Sequence, residues 1–171
     1  MKKLLLVMAA LFCVATASAK GGDVLKKVTD QTWTVGARLG SGLQADAECF
    51  YGGGKNYFEG RFGMQWVAGL AADFTVLHNW NCFNMAWTPS VGKWYFEAGV
   101  GVNVGGAAHV AYVGVAGCAK LGIKFNAAPI RLSFDWTPSF GPVIVYADGA
   151  SAAGFWNYGP CNLGVSATYC F

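Results

Sequence analysis

The residues best suited to covalent chemistry in this chain are two histidines and three serines. His78 and His109 are the only histidines, and Ser133, Ser139 and Ser166 are candidate nucleophiles for acyl transfer. Such a reaction needs a serine and a basic histidine within hydrogen-bonding reach, together with an acid that orients the histidine. No motif in the sequence places these residue types in that arrangement. The sequence therefore predicts that the protein is not an enzyme.

Metal or redox chemistry would draw on the cysteines that follow residue 19. These are Cys49, Cys82, Cys118, Cys161 and Cys170. They form no C-x-x-C pair, and Cys161 and Cys170 are too far apart to bridge if they share one extended strand. We therefore predict no metal site and no cofactor, with the cysteines acting as small apolar wall residues.

The composition points away from a soluble helical domain. The 171 residues are 54% hydrophobic and 12% charged, against about 25% charged in ordinary soluble domains. Because glycine is a poor helix former, the 24 glycines and 15% aromatic residues favour strands. The formal net charge of +3 falls by two without Lys2 and Lys3, which leaves no basic patch. One domain that binds no nucleic acid is expected.

The first residues have the features of a secretory signal peptide. A charged start precedes an apolar stretch at 4–14 and an A-x-A cleavage site at 17–19. The apolar stretch is too short to span a bilayer. The predicted organisation is a signal peptide at 1–19, a periplasmic N-terminal lead at 20–31 and a folded domain at 32–171.

Hydrophobicity alternates with a period of two along the rest of the chain, as is typical of strands. In one example, Trp94, Phe96 and Ala98 alternate with Tyr95 and Glu97. The same alternation makes 100–119, which is long enough for a transmembrane helix, a hairpin instead. The register of the fourth strand cannot be assigned from the pattern. The eight predicted strands are 33–40, 43–51, 57–65, 72–86, 94–105, 113–125, 131–140 and 162–171.

The longest predicted connection is the segment Gly141–Pro160, an external loop if both termini lie on the periplasmic side. Aromatic residues and glycines on a rigid scaffold suit binding. The predicted contact residues of this loop are Tyr146, Asp148, Phe155, Trp156 and Tyr158.

The charged residues decide which face of the strands points inward. If the apolar face points outward, ten charged side chains, five of each sign, line the interior: Arg38, Asp46, Glu48, Glu59, Arg61, Glu97, Lys120, Lys124, Arg131 and Asp135. Opposite charges side by side offset part of the cost of burial in a water-poor lumen. The fold class predicted is therefore all-β, an eight-stranded antiparallel up-and-down transmembrane β-barrel with a filled polar lumen. The alternative is a soluble exported ligand-binding barrel, which would enclose the apolar face.

Three internal segments and the chain end carry a family resemblance. The segments are 94–101, 121–130 and 132–141, and the end has Tyr169 two residues before the final Phe171. They resemble small outer-membrane β-barrels of Gram-negative bacteria, especially the Bacteroidetes type. The resemblance implies that the barrel-assembly machinery recognises the two aromatic residues, although Ser166 stands where such proteins usually have glycine. It also implies an outer-membrane location with lipid around the barrel.

The predicted function is a structural or surface-interaction role through extracellular loops that meet an extracellular ligand. The protein is expected to be a monomer. Two alternatives remain open besides the soluble barrel. One is a narrow or gated pore for small solutes or ions, and the other is an outer-membrane lipid-modifying enzyme, because lipid A deacylases and acyltransferases of the same barrel size exist.

Overall fold

A computed structural model describes residues 33–51, 53–66, 70–147, 150–156 and 162–171. The predicted signal peptide and lead, residues 1–31, lie outside these ranges. No helix within the described ranges is long and apolar enough to cross a membrane. The described strands are β1 (Trp33–Gly40), β2 (Gly42–Tyr51), β3 (Asn56–Trp66), β4 (Leu70–Met85), β5 (Gly92–Ala107), β6 (Val110–Phe125), β7 (Ile130–Trp136), β8 (Ser139–Ala147), β9 (Ala150–Trp156) and β10 (Leu163–Cys170).

Eight of these strands close into an antiparallel up-and-down barrel, which confirms the predicted strand number and topology. Strands β1 to β7 pair in sequence order, and β10 pairs with both β7 and β1. At the closing seam, Gly36 lies opposite Thr168. The backbone N–H of Phe171 donates to the carbonyl of Trp33 at 3.0 Å, so both ends of the described chain meet at one rim. We call this rim the termini end.

Strands β8 and β9 form a hairpin that extends the barrel beyond its opposite rim, which we call the hairpin end. Strand β8 continues along β6 where β7 stops, and β9 pairs with β8. Pro138 separates β7 from β8 because it has no backbone N–H for the ladder, although its carbonyl accepts from Gly117 at 2.8 Å. The prediction that 141–160 forms one irregular loop was therefore wrong over 141–147 and 150–156. The run from Val143 to Tyr146 has strong strand propensity.

Strand β4 contains the irregularity that hid its register in the sequence. Its pairing with β5 shifts between Asn81 and Phe83, so Cys82 is the extra residue of a β-bulge. A bulge moves the alternation by one position and exchanges the two faces of the strand beyond it. Before the bulge Asn79 is buried, and after it Phe83 is exposed and stacks on the exterior against Phe96.

The two faces of the barrel wall have opposite chemistry. Exposed side chains on the outer face include Phe62, Val100 and Val115, the last of them 66% exposed. The inner face holds the buried charged residues and a small apolar group of Leu77 and Ala116. The strand alternation predicted this partition, and the buried positions of β2, β5 and β10 follow it.

Candidate functional site

Charged side chains in the lumen form an unbranched sequence of ion pairs that alternates in sign. Seven pairs at 2.6–3.3 Å connect its members. We call this set the lumen chain, and its order is Arg38, Asp135, Arg61, Glu59, Lys120, Glu48, Arg131 and Glu97. Every member is at most 4% exposed. Paired charges therefore fill the part of the lumen that the lumen chain occupies.

Six strands supply the lumen chain, and its links cross the interior. Arg61 on β3 reaches Asp135 on β7 at 3.3 Å, although these strands are not neighbours. Lys120 on β6 reaches Glu48 on β2 at 2.9 Å in the same way. Strand alternation directs each of these side chains inward, and the closure of the barrel brings opposite walls within reach.

Neutral hydroxyl and amide groups satisfy the remaining hydrogen-bonding capacity at the Arg38 end of the lumen chain. Arg38 donates to Gln44 Oε1 at 3.2 Å and to Asn162 Oδ1 at 3.0 Å. The hydroxyl of Ser166 donates to Asp135 Oδ2 at 3.0 Å. This saturation matters because a buried charge with an unmet hydrogen bond is costly.

Aromatic rings enclose the other end of the lumen chain, near the termini end. The guanidinium carbon of Arg131 lies 4.4 Å from the centre of the Tyr95 ring and 5.0 Å from that of Phe50. Tyr57 donates its hydroxyl to Glu97 Oε2 at 2.6 Å. These rings exclude water while their faces attract the cation.

Glycines on neighbouring strands make room for the large side chains of the lumen. A Cβ atom at Gly122 would collide with the Tyr95 phenol, and one at Gly164 would lie 2.6 Å from the Arg38 guanidinium carbon. Gly122 lies directly opposite Tyr95 in the β5–β6 register. The high glycine content therefore has a packing role, because a small residue opposite a large one fills a narrow bore.

Two buried aspartates lie outside the lumen chain and differ in their surroundings. Asp73 accepts from Gln44 at 2.6 Å, Asn103 at 2.5 Å and Tyr112 at 2.9 Å, and also from a hydroxyl two residues away. Asp46 is 1% exposed, and neither of its carboxylate oxygens has a hydrogen-bond partner. Asp46 was among the predicted lumen residues, whereas Asp73 was missed because the β4 bulge obscures its parity. The signal that could have found it is the local alternation upstream of the bulge.

The predicted balance of five positive and five negative lumen charges needs correction. Lys124 is only half-buried, near the termini end, and it has an interaction partner there. The fully buried set therefore has four cationic side chains and, with Asp73 added, six carboxylates. This fully buried set carries two more formal negative charges than positive ones.

The predicted contact residues fall on or beyond the β8–β9 hairpin. Tyr146 on β8 is exposed, and Phe155 on β9 is 70% exposed. Trp156 is the last residue of β9, while Asp148 and Tyr158 lie outside the described residues. Their role in binding stays a prediction.

The predicted assembly signal lies at the termini end. Tyr169 occupies β10, and Phe171 follows that strand as an exposed residue. The two rings meet edge to face with their centres 5.1 Å apart. Both side chains lie on the outer face, which leaves them accessible at the rim.

The barrel wall separates the residues considered for acyl transfer. Ser133, Ser139 and Ser166 are buried in the interior. His78 lies on the outer face among aromatic rings and forms a hydrogen bond with the Tyr51 hydroxyl. His109 lies in the exposed turn between β5 and β6. These positions bring neither histidine into hydrogen-bonding reach of the three serines.

The cysteines of the described ranges are not bridged. Cys49 is partly exposed, Cys82 is exposed at the bulge, and Cys118 and Cys170 are buried. Cys161 lies outside the described residues.

The arrangement can hold the barrel rigid and closed through paired charges, and it presents a hairpin with exposed aromatic residues at one end. No family model, curated protein or solved structure matches the chain.

Proposed function

We propose that this protein is an outer-membrane β-barrel that acts as a structural scaffold and presents the β8–β9 hairpin at the cell surface. The observation that carries the proposal is the reversed distribution of polarity across the wall. All six acidic side chains in the described ranges are buried in the lumen, whereas Phe62, Val100 and Val115 are exposed. In water this exterior would be a large aggregation-prone apolar surface, and in a bilayer it is matched to the lipid.

The backbone of the closed ring supports the same proposal. In hydrocarbon every backbone N–H and C=O must be satisfied within the protein, which a closed barrel achieves because it has no free strand edge. Strands β4, β5 and β6 each have 16 residues, more than the roughly 9–11 that a tilted strand needs to span the apolar layer.

Aromatic residues at the termini end also support a membrane boundary. Trp33, Trp87 and Phe171 are exposed there, and the Trp87 and Trp94 rings lie with their centres 5.3 Å apart. Amphipathic aromatic rings collect at the two interfaces of membrane barrels. Lys55 and Lys93 are exposed at the same end, where their charges would meet water and headgroups.

The proposal assigns the lumen a structural role and the hairpin the contacts with an extracellular ligand. A sequence of buried ion pairs that crosses the bore leaves little room for solute flux. The hairpin has the opposite character, because Tyr146 and Phe155 are exposed on an element that stands beyond the ring. Exposed aromatic residues are frequent anchors in binding interfaces.

Fractionation of a Gram-negative host that expresses the full chain tests the location. The protein is expected in the outer-membrane fraction, to require detergent for extraction, and to change its gel mobility on boiling because a closed barrel resists unfolding in detergent. Recovery of the mature chain as a soluble monomer in detergent-free buffer would refute the proposal.

Two further measurements test the roles assigned to the lumen and the hairpin. In planar bilayers the purified protein is expected to give no steady openings, and reproducible conductance would overturn the closed lumen. Replacement of 141–156 by a Gly/Ser segment of equal length is expected to abolish adhesion or ligand binding by the cell surface. Unchanged binding would remove the hairpin from the proposed function.

A further inference from the structure

Three buried carboxylates converge in the lumen beside the ion pairs. Asp46, Glu48 and Glu59 each contribute one oxygen to a group whose members all lie within 4.8 Å of one another. Lys120 contacts Glu48 at 2.9 Å and Glu59 at 3.1 Å. Both oxygens of Asp46, however, are buried and have no hydrogen-bond partner. The group therefore contains an acceptor with unused capacity, aimed at two other carboxylates.

The buried side chains of the lumen also lack positive charge. The lumen chain pairs four carboxylates with all four buried cationic side chains. Asp46 and Asp73 are left without an ion pair; Asp73 accepts hydrogen bonds from neutral donors such as Asn103 and Tyr112, whereas neither oxygen of Asp46 has a hydrogen-bond partner. An ionised carboxylate that is buried without partners is strongly unfavourable. A positively charged ligand beside Asp46 would remove this penalty.

We propose that Asp46, Glu48 and Glu59 bind one divalent metal cation of the hard class, Ca²⁺ or Mg²⁺. Carboxylate oxygens are the ligands that these ions prefer, at about 2.0–2.6 Å, and oxygens separated by up to 4.8 Å can share one such ion. The charge of one divalent ion also equals the excess negative charge of the fully buried side chains, which comprise six carboxylates and four cationic groups. Water completes the coordination shell.

The bound ion would fasten β2 to β3 inside the barrel. Asp46 and Glu48 belong to β2 and Glu59 to β3, and Asp46 lies opposite Arg61 in the register of these strands. A ligand that binds only the folded barrel raises its stability in proportion to the logarithm of the ligand concentration. The inference concerns the lumen alone and does not depend on the membrane role proposed above.

Unfolding of the purified full-length protein in metal-free detergent micelles tests the site. The protein is refolded with tetramethylammonium chloride as the only salt, CaCl₂ or MgCl₂ is added at constant ionic strength, and the urea midpoint is read from tryptophan fluorescence. One of the two ions is expected to raise the midpoint of the wild-type protein saturably, as the one-site binding relation requires, and equilibrium dialysis with free ion in excess should show about one bound metal ion per chain. Asp46→Asn should abolish both effects.

Asp73→Asn is the matched control, because it removes the same charge from the same lumen while leaving the three proposed ligands in place. It is expected to keep the metal-dependent rise. An equal rise in the wild-type protein and in Asp46→Asn would place the ion elsewhere and overturn the proposal. A wild-type urea midpoint that changes with neither ion would also overturn the proposal.

If Asp46→Asn fails to refold, the metal content of the wild-type protein tests the site instead. Wild-type protein that binds far less than one ion per chain at equilibrium with excess free Ca²⁺ or Mg²⁺ would refute the site. Gel mobility of the same samples, with and without boiling, reports separately on barrel closure, so a failed barrel is distinguishable from a failed metal site.

Discussion

The lumen of the ring and the β8–β9 hairpin contrast in how their side chains are held. In the lumen, Arg61 and Asp135 are nearly without exposure and belong to one connected set of ion pairs. On the hairpin, Tyr146 and Phe155 are exposed, and within the described residues β9 pairs only with β8. Substitutions should therefore be costly in the lumen and tolerated on the hairpin.

This difference assigns stability to the lumen and leaves the hairpin free for the recognition role that we propose for it. Buried pairs hold strands that are distant in sequence, such as β3 and β7, whereas the hairpin is held by backbone pairing at its base. Rigid scaffolds commonly carry binding residues on such exposed extensions.

The largest effect is expected from Lys120→Met, which leaves Glu48 and Glu59 without a shared cation. Removing one partner of a buried ion pair costs about 3–5 kcal/mol of unfolding free energy, measured by urea unfolding in micelles. The matched control is Lys93→Met, at an exposed position, which should change the free energy by less than about 0.5 kcal/mol. Similar losses for both lysines would contradict the structural role of the lumen chain.

An arginine on the outer wall should destabilise the barrel in lipid according to its depth. Val100 lies in the middle of β5 and is 54% exposed, so Val100→Arg is expected to cost about 2–4 kcal/mol in a bilayer. Tyr146→Arg on the hairpin should cost about 0–1 kcal/mol, as expected near or beyond the interface. The loss of unfolding free energy in each variant is measured by unfolding in lipid vesicles. Equal losses in the two variants would argue against a bilayer around β5.

Gly122→Val is expected to lower stability by about 1–3 kcal/mol through overpacking against Tyr95. Gly60→Val provides the control, because a Cβ atom at Gly60 meets nothing within 4 Å, and its effect should stay within about 0.5 kcal/mol. Gly122→Val should cost less in a Tyr95→Ala background than in the wild-type protein, although Tyr95→Ala is itself destabilising because the ring is buried against Arg131. An equal cost in both backgrounds would show that the Tyr95 ring is not the cause.

Phe155→Ala on the hairpin should have the smallest effect on stability. The side chain is 70% exposed, so the free energy of unfolding is expected to change by no more than about 0.5 kcal/mol. Adhesion by cells that display the protein, which we propose depends on the hairpin, should weaken in the same variant. A loss of stability comparable to that of Lys120→Met would remove the contrast between lumen and hairpin.

Much of the barrel could be predicted because alternation is a local property of a strand. The inward positions of Glu48, Glu59 and Glu97 follow from residue parity alone. Local pattern failed where one residue changed that parity, at the bulge between Asn81 and Phe83, and Asp73 was missed for this reason. It also failed at Pro138, because the predicted strand 131–140 runs across this proline, whereas β7 ends at Trp136 and β8 begins at Ser139.

The sequence by itself determined the class of fold, the number of barrel strands and the face on which most charged residues lie. Only the tertiary structure decided which charges meet, because Arg61 pairs with Asp135 across 74 residues of chain through the register of strands that are not neighbours. It also decided that Asp73 is surrounded by donors while Asp46 has none. Parity depends on each strand alone, whereas pairing across a closed lumen depends on how all the strands are staggered around the ring.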